Sequence, residues 1–110
     1  MKDRDIAILG KIIKYANEIN IAIVGLNFEN FLEAFIIKNS VSMCILQIGE
    51  LASKLSNEFK SDYNQMPWRD IVNMRHRVAH AYDSVDMEIL WNIATVNIPE
   101  LKEYCERITP

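Results

Sequence analysis

Apolar residues recur at intervals of three and four along almost the whole chain, and this helical period constrains the fold more than any other feature. Between Asp3 and Val24 the recurring positions are Ile6, Leu9, Ile12, Ile13, Ala16, Ile19 and Ile23. Lysines and a glutamate fall between them, so this segment predicts an amphipathic helix. Only three glycines and three prolines occur in 110 residues, which excludes turn-dense β architectures and collagen-like repeats. We therefore predict an all-α fold.

A second helical stretch follows a short turn. Gly25 is placed to end the first helix, and Asn27 is placed to cap a second stretch that extends over residues 28–59. This stretch is too long for an average helix, so we expect a break or bend at residues 38–40. Its second half carries a broad apolar stripe and should be the central core helix.

Two more helices complete the predicted architecture. Residues 60–66 read as a polar loop, and Pro67 then starts a helix that extends to about residue 81. Residues 82–84 have turn chemistry, with Asp83 or Asp86 as the expected cap of a last helix over residues 87–108, kinked at Pro99. We predict one domain over residues 1–110, a four- to five-helix up-down bundle.

Charge and cysteine usage bound the function. The net charge is −3, so the chain lacks the global positive field that drives non-specific nucleic-acid binding, and any such contact must be local. Cys44 and Cys105 have no metal-ligand or redox spacing. No apolar run approaches the roughly 18 residues that span a bilayer. We expect a soluble, unexported, cytoplasmic protein that does not bind membranes, and the absence of a glycine-rich phosphate loop predicts no cofactor.

One segment concentrates positive charge. Residues 69–80 contain three arginines and both histidines, opposed by Asp70 alone. Cleaving RNA without a metal requires a base for the 2′-hydroxyl, an acid for the leaving oxygen and a cation for the phosphorane. Histidine titrates near neutrality, and the guanidinium fork of arginine matches phosphate oxygens. Arg75 and His80 are therefore the candidate catalytic pair.

The spacing of this pair has a geometric consequence. A helix turns about 100° per residue, so Arg75 and His80 diverge by about 140°, whereas Arg75 and Tyr82 differ by only about 20°. One unbroken helix makes a poor site. Either the helix unwinds near His80, or a second protomer completes the pocket, in which case a symmetric dimer supplies two arginines and two histidines.

Other interpretations of the same residues remain open. His76 and His80 are four apart, as in a zinc-binding helix, but Arg77 stands where a zinc hydrolase keeps its glutamate base. His80 is equally compatible with a hydrogen-bonded residue near a helix end, and Arg75 with a surface ion pair. Glu50, beside Gly49, is a candidate to orient Arg75 or a histidine from the core helix.

Residues 74–82 resemble the signature of HEPN-domain ribonucleases, specifically the HepT-like toxins. That signature is an arginine, a polar residue, three further residues, a histidine, any residue and a tyrosine. Arg75, His76, His80 and Tyr82 fill these positions. Similarity to the family context extends to residues 48–51, 67–71, 85–86 and 90–91, and the N-terminal third is similar by helical pattern alone.

The resemblance implies a HEPN-like helical homodimer that cleaves RNA without a metal. Arg75 and His80 would be catalytic, with His76, Arg77 and Glu50 in supporting or RNA-phosphate-binding roles. It also implies a toxin–antitoxin pair in which a minimal nucleotidyltransferase antitoxin, MntA-like, transfers AMP to Tyr82. Two alternatives remain: a catalytically silent helical subunit that binds a nucleotidyltransferase or nucleotide, and a phosphate-binding protein that uses its arginines without cleavage.

Overall fold

The protein is a helical bundle without β-strands, and the predicted all-α fold is confirmed. The computed structural model describes residues 1–110. Its helices are α1 (Asp3–Ile23), α2 (Phe28–Glu33), α3 (Phe35–Ser53), α4 (Asn57–Asp62), α5 (Trp68–Ser84), α6 (Met87–Asn92) and α7 (Ile98–Ile108), with a π-helical segment (Ile93–Asn97) that joins α6 to α7. Asn27 caps α2 by accepting a hydrogen bond from the amide of Asn30 at 2.8 Å. Gly25 follows the end of α1 with a positive φ of 80°. Both features are as predicted.

Helix α3 occupies the centre of the bundle. It packs against α1 on one side and α5 on the other, α7 covers α1, and α6 packs against α5. The buried hydrophobic side chains form one core of 26 residues. The Trp68 ring packs against Phe59 in a tilted arrangement with a centroid distance of 5.3 Å, and the ring centroids of Trp91 and Phe31 are 5.0 Å apart. Both tryptophans therefore serve the packing between helices.

The predicted bend at residues 38–40 is wrong. The chain breaks at Ala34 instead, whose ψ of 72° leaves the helical range, and residues 38–40 lie inside the continuous helix α3. Tertiary contacts explain the difference, since Lys38 Nζ donates to the Leu32 carbonyl at 3.0 Å and so caps the end of α2. Lys38 and Asn39 bond to neighbouring elements without interrupting their own helix.

The predicted polar loop at residues 60–66 is also wrong in its bounds. Helix α3 ends at Ser53, earlier than predicted, and a short helix α4 occupies Asn57–Asp62. Ser56 starts α4 by accepting from the amide of Phe59 at 3.1 Å. The buried carboxylate of Asp5 fixes this start, because it accepts from the Ser56 amide at 2.9 Å and from the Ser56 hydroxyl at 2.7 Å.

Helix α5 does not end at residue 81. It continues through the predicted turn to Ser84 and stops at Val85, which adopts a left-handed conformation with a φ of 54°. The Ser84 hydroxyl donates back to the His80 carbonyl at 2.6 Å, which satisfies the helix end. Asp86 lies at the cap position of α6 but makes no side-chain hydrogen bond there, so the predicted carboxylate cap is not formed.

Ahead of Pro99 the backbone widens rather than simply kinking. Residues Ile93–Asn97 form π-helical turns, and Pro99 lies in the first turn of α7. Since proline has no amide hydrogen and its ring crowds the preceding turn, the wider turn provides the space it needs. The last helical stretch is therefore unbroken from Met87 to Ile108, but it changes from α-helix to π-helix and back.

The expectation that no apolar run approaches membrane-spanning length was wrong. Helix α3 has 19 residues and a mean hydropathy of 1.2, which is long and apolar enough to cross a bilayer by length and composition. Core helices of globular bundles pass the same test, and α3 is flanked by both α1 and α5.

Asp5 supplies a pH-dependent contribution to stability. Burial by itself raises the pKa of this carboxyl, but the two hydrogen bonds from Ser56 and the nearby charges of Lys2 and Arg4 outweigh burial and hold the pKa below its usual 3.8. A carboxyl with a lowered pKa in the folded state stabilises the fold above that usual value. The contribution is lost as the pH falls through the folded-state pKa.

We predict that Asp5→Asn lowers the free energy of unfolding by about 1–3 kcal/mol at neutral pH, because one charge-assisted acceptor of Ser56 is lost. The difference from wild type should shrink as the pH falls below 3.8. Chemical denaturation at a series of pH values measures it. Asp3→Asn is the control, since Asp3 is exposed in the same helical turn. An equal effect of both substitutions, or a difference independent of pH, would contradict the assignment.

Candidate functional site

Arg75 lies where α5 crosses α3. Its guanidinium forms an ion pair with Glu50 of α3 through Nη1, and its Nε donates to the Val72 carbonyl at 3.3 Å. About a third of the Arg75 side chain remains exposed. Arginine has five N–H donors, and these two contacts engage two of them. Three donors are therefore free to bind an anion.

Gly49 makes this position possible. A methyl group at Gly49 would lie 2.6 Å from Cγ and 3.1 Å from Cδ of Arg75, and 3.3 Å from the Val72 carbonyl oxygen. Only a residue without a side chain lets the methylenes of Arg75 pass this close to α3. Gly49 thus leaves space for the methylenes of Arg75, and Glu50 binds its guanidinium.

Tyr82 lies on the same edge of α5 as Arg75, two turns further along. Its hydroxyl donates to Asn39 Oδ1 at 2.9 Å and lies 2.8 Å from the hydroxyl oxygen of Ser42. The Ser42 hydroxyl is also 2.9 Å from the Lys38 carbonyl. The side chain is 39% exposed. The phenol is therefore accessible, but its hydroxyl is held by α3.

The two histidines lie elsewhere on the helix. His76 and His80 are both exposed, and α5 is unbroken around them. The possibility that the helix unwinds near His80 is therefore wrong. The divergence of about 140° between Arg75 and His80 remains in the folded chain. A single chain brings Arg75, Glu50 and Tyr82 to one edge and leaves His80 on the neighbouring solvent face.

Arg77 is separated from the other motif residues. Its Nη1 donates to Asn97 Oδ1 of the π-helical segment at 3.4 Å. It lines a cleft together with Asp70, Asn97 and Glu100, among other residues. Two residues along a helix correspond to about 200°, so Arg77 lies on the far side of α5 from Arg75. The two arginines therefore do not converge on one point within a single chain.

Other chemistry-bearing groups do not gather into a second centre. No group of three or more His, Cys, Asp or Glu side chains is placed to hold a metal ion. Burial, with a contribution from Glu106, raises the pKa of Cys105 to about 12. Burial and Glu18 also raise the pKa of Cys44. Neither free thiol is poised to act as a thiolate nucleophile.

Sequence reasoning missed Asn39 and Ser42 as partners of Tyr82. Both were assigned to or near an expected bend, so their side chains had no predicted face. The available signal was their spacing: positions three apart share a helix face once residues 38–40 are taken as helical. Gly49 and Glu50 were noted together, but the steric role of Gly49 becomes visible only where α5 crosses it.

Comparison with known proteins decides the family. The family model for "Ribonuclease HepT-like" proteins matches residues 12–108. The chain belongs to this family. No solved structure matches it significantly.

Individual relatives agree with the family assignment. The chain is 32% identical over 109 residues to "Putative RNase MJ1216" of Methanocaldococcus jannaschii, covering 98% of this chain and 90% of the relative. It is 32% identical to "Putative RNase MJ0125" of the same organism, with 98% and 94% coverage. It is 35% identical over 81 residues to "Probable ribonuclease HepT" of Thermococcus cleftensis, with 74% of each chain covered. This HepT-like relationship supports a ribonuclease.

We predict that Gly49→Ala destabilises the protein by about 1–3 kcal/mol, because the new methyl group collides with the Arg75 side chain. The cost should fall markedly in an Arg75→Ala background, where the colliding methylenes are gone. Denaturant unfolding of the two single variants and the double variant measures this coupling.

Gly10→Ala is the matched control. Gly10 lies in α1, and a methyl group there meets nothing within 4 Å. Helix propensity then predicts a stabilisation of about 0.5–1 kcal/mol, unaffected by Arg75→Ala. An equal cost of Gly49→Ala in both backgrounds would show that Arg75 does not depend on the space at Gly49.

Proposed function

We propose that this HepT-like protein is a metal-independent endoribonuclease and the toxin of a toxin–antitoxin pair. The observation that supports this most is the state of Arg75. Glu50 and the Val72 carbonyl fix its guanidinium at the edge of α5 while three of its donors stay free. A fixed, partly exposed cation and an exposed histidine on the same helix are two of the groups that RNA transesterification needs.

The roles divide by chemistry. His80 would take the proton of the 2′-hydroxyl or return one to the leaving oxygen, and Arg75 would bind the non-bridging oxygens as negative charge develops on phosphorus. Glu50 acts on Arg75 rather than on RNA, because a carboxylate repels phosphate and already pairs with the guanidinium. His76, one turn before His80, would contribute to binding the strand.

A homodimer would complete this site. Arg75 and His80 diverge on one helix, so an arginine from one protomer and a histidine from its partner are the natural pair across a two-fold axis. Exposed apolar residues extend the α3 side of this edge: Ile36 and Met43 are 69% and 56% exposed. They are spaced seven apart, in register with Glu50, and would be covered in such an interface.

A catalytically silent subunit remains the second candidate, and one observation favours it. The charge of the Arg75 guanidinium is already compensated by Glu50 within the chain, as in a structural ion pair. Such a protein would bind a nucleotidyltransferase or a nucleotide without cutting RNA. Cleavage of cellular RNA by the purified protein separates the two candidates.

We predict that Arg75→Ala and His80→Ala each lower RNA cleavage by about 10²-fold or more, because each removes a group that acts in the transition state. Cleavage should persist in chelator and leave 2′,3′-cyclic phosphate ends. Gel assays with end-group analysis measure both. His76→Ala should matter less. Full activity of His80→Ala, or loss of activity in chelator alone, would overturn the assignment.

Mixed dimers extend the same experiment. Combining an Arg75→Ala protomer with a His80→Ala protomer should leave one intact composite site if the pair forms across the interface, and no intact site if it forms within one chain. Activity of the mixture well above that of either variant alone is the expected result. Light scattering that gives a monomer at micromolar concentration would contradict the dimer.

Control of the toxin would act on Tyr82. AMP transferred to its hydroxyl from ATP, with pyrophosphate as the leaving group, would add a phosphodiester and a nucleoside at the edge shared with Arg75, where they would oppose RNA by volume and by charge. The hydroxyl must first leave Asn39 and Ser42, which hold it in the unmodified chain. The antitoxin would be a minimal nucleotidyltransferase.

We predict that co-expression with a cognate nucleotidyltransferase adds AMP units to Tyr82, and that Tyr82→Phe remains toxic despite the partner because it offers no hydroxyl. Intact-mass spectrometry and growth assays measure these outcomes. Tyr63→Phe is the control, since Tyr63 is a partly buried phenol that follows α4 and lies outside the motif. Suppressed toxicity without added adenylate would favour inhibition by complex formation alone.

A further inference from the structure

We propose that a cationic cleft between α4 and α5 binds the phosphate backbone of the RNA strand beyond the cleaved bond. This inference rests on the ribonuclease function proposed above and assigns a binding surface to it. The cleft has a volume of about 380 Å³ and is lined by Lys60, Trp68, Arg69, Val72, Asn73 and His76. That volume is within the roughly 300–1,000 Å³ typical of ligand pockets.

The charge in this cleft is of one sign. Its lining includes two permanent cations and a histidine but no carboxylate. Four other clefts on the surface each contain at least one Asp or Glu. In a chain with a net charge of −3, a concave surface without acids is the place where a polyanion meets the least repulsion.

Three acids of the same two helices line other clefts. Glu58 and Asp62 of α4 line a groove near the N-terminus, together with Asp5. Asp70 of α5 lines the cleft that contains Arg77. The fold therefore places Lys60 and Arg69 on one cleft and Glu58, Asp62 and Asp70 on two others, while Asp83 lies at the C-terminal end of α5.

The two cations are not used to hold the fold together. The ion pairs within 4.0 Å are Lys2–Glu58, Arg75–Glu50 and Lys102–Glu106. Neither Lys60 nor Arg69 belongs to any of them, and neither donates a side-chain hydrogen bond within the chain. Their charges are available for a ligand without the loss of an existing ion pair.

The cleft is aligned with the candidate catalytic histidine. Along α5, Arg69 and His80 lie within about 40° of His76 in helical angle, so the three share one face. Eleven residues separate Arg69 from His80, which is about 16 Å of helix rise. An RNA strand cut at His80 would therefore reach the cleft by following α5 toward its N-terminus. The geometry favours a flexible single strand, whose phosphates can follow such a path.

The test compares RNA binding of wild type with that of a Lys60→Gln/Arg69→Gln variant. The probe is a short fluorescent 2′-O-methyl oligoribonucleotide, which cannot be cut because it has no free 2′-hydroxyl. Anisotropy titrations over a series of KCl concentrations give the affinity and its salt dependence. Lys11→Gln/Lys14→Gln is the matched control, because it removes the same charge from exposed positions on α1.

We expect the cleft variant to bind at least about fivefold more weakly and to lower the slope of log K against log salt by about 1.4, since each phosphate contact on single strands contributes about 0.7. The control should keep the wild-type slope. Equal changes in both variants, or no change in either, overturn the cleft. So does an unchanged RNA affinity with lost binding to the nucleotidyltransferase, which would make the cleft a protein-docking surface.

The same measurements separate this inference from the function on which it rests. If wild type neither binds the probe nor cleaves unmodified RNA, the ribonuclease proposal itself fails. If wild type does both and the cleft variant matches it in affinity and slope, the ribonuclease proposal stands and only the cleft is refuted.

Discussion

The close approach of α5 to α3 at Gly49 is the constraint on which the rest of the site depends. Because Gly49 has no side chain, the methylenes of Arg75 lie against the central helix and its guanidinium reaches Glu50. The same crossing brings Tyr82 to Asn39 and Ser42, since Arg75 and Tyr82 share one edge of α5. A cation and a tyrosine hydroxyl are thereby both fixed by one neighbouring helix.

Helix geometry separates the α5 residues that α3 fixes from those that stay exposed. The edge of α5 that faces α3 holds its polar groups through direct hydrogen bonds, whereas the next face, with His76 and His80, is exposed and bonded to nothing by its side chains. A site that needs both faces is incomplete in one chain. The exposed apolar side chains of Ile36 and Met43 beside it are the kind of surface that association covers. Electrostatics follows the same division, because Glu58, Asp62 and Asp70 line other clefts than the one that continues the histidine face.

Much of the fold was predictable because it depends on short-range periodicity. The four long helical stretches, the Asn27 cap and the Gly25 terminus follow from side chains within a few residues of one another. The errors occurred where distant residues overrule local preference. Lys38 and Asn39 find partners on α2 and α5 and stay helical, and α4 forms because Asp5 holds Ser56 from 51 positions away.

The sequence by itself determined the helical class, the positions of Arg75, His80 and Tyr82 on α5, and the angular divergence that argues for a second protomer, because all of these depend on the fixed rotation per residue of one helix. The family relationship followed from the same residues. Only the tertiary structure decided that Gly49 and Glu50 seat Arg75, that Asn39 and Ser42 hold Tyr82, and that Arg77 turns to Asn97. These contacts join residues 20 to 43 positions apart, and they depend on how helices rotate and cross when the core packs, which no local pattern specifies.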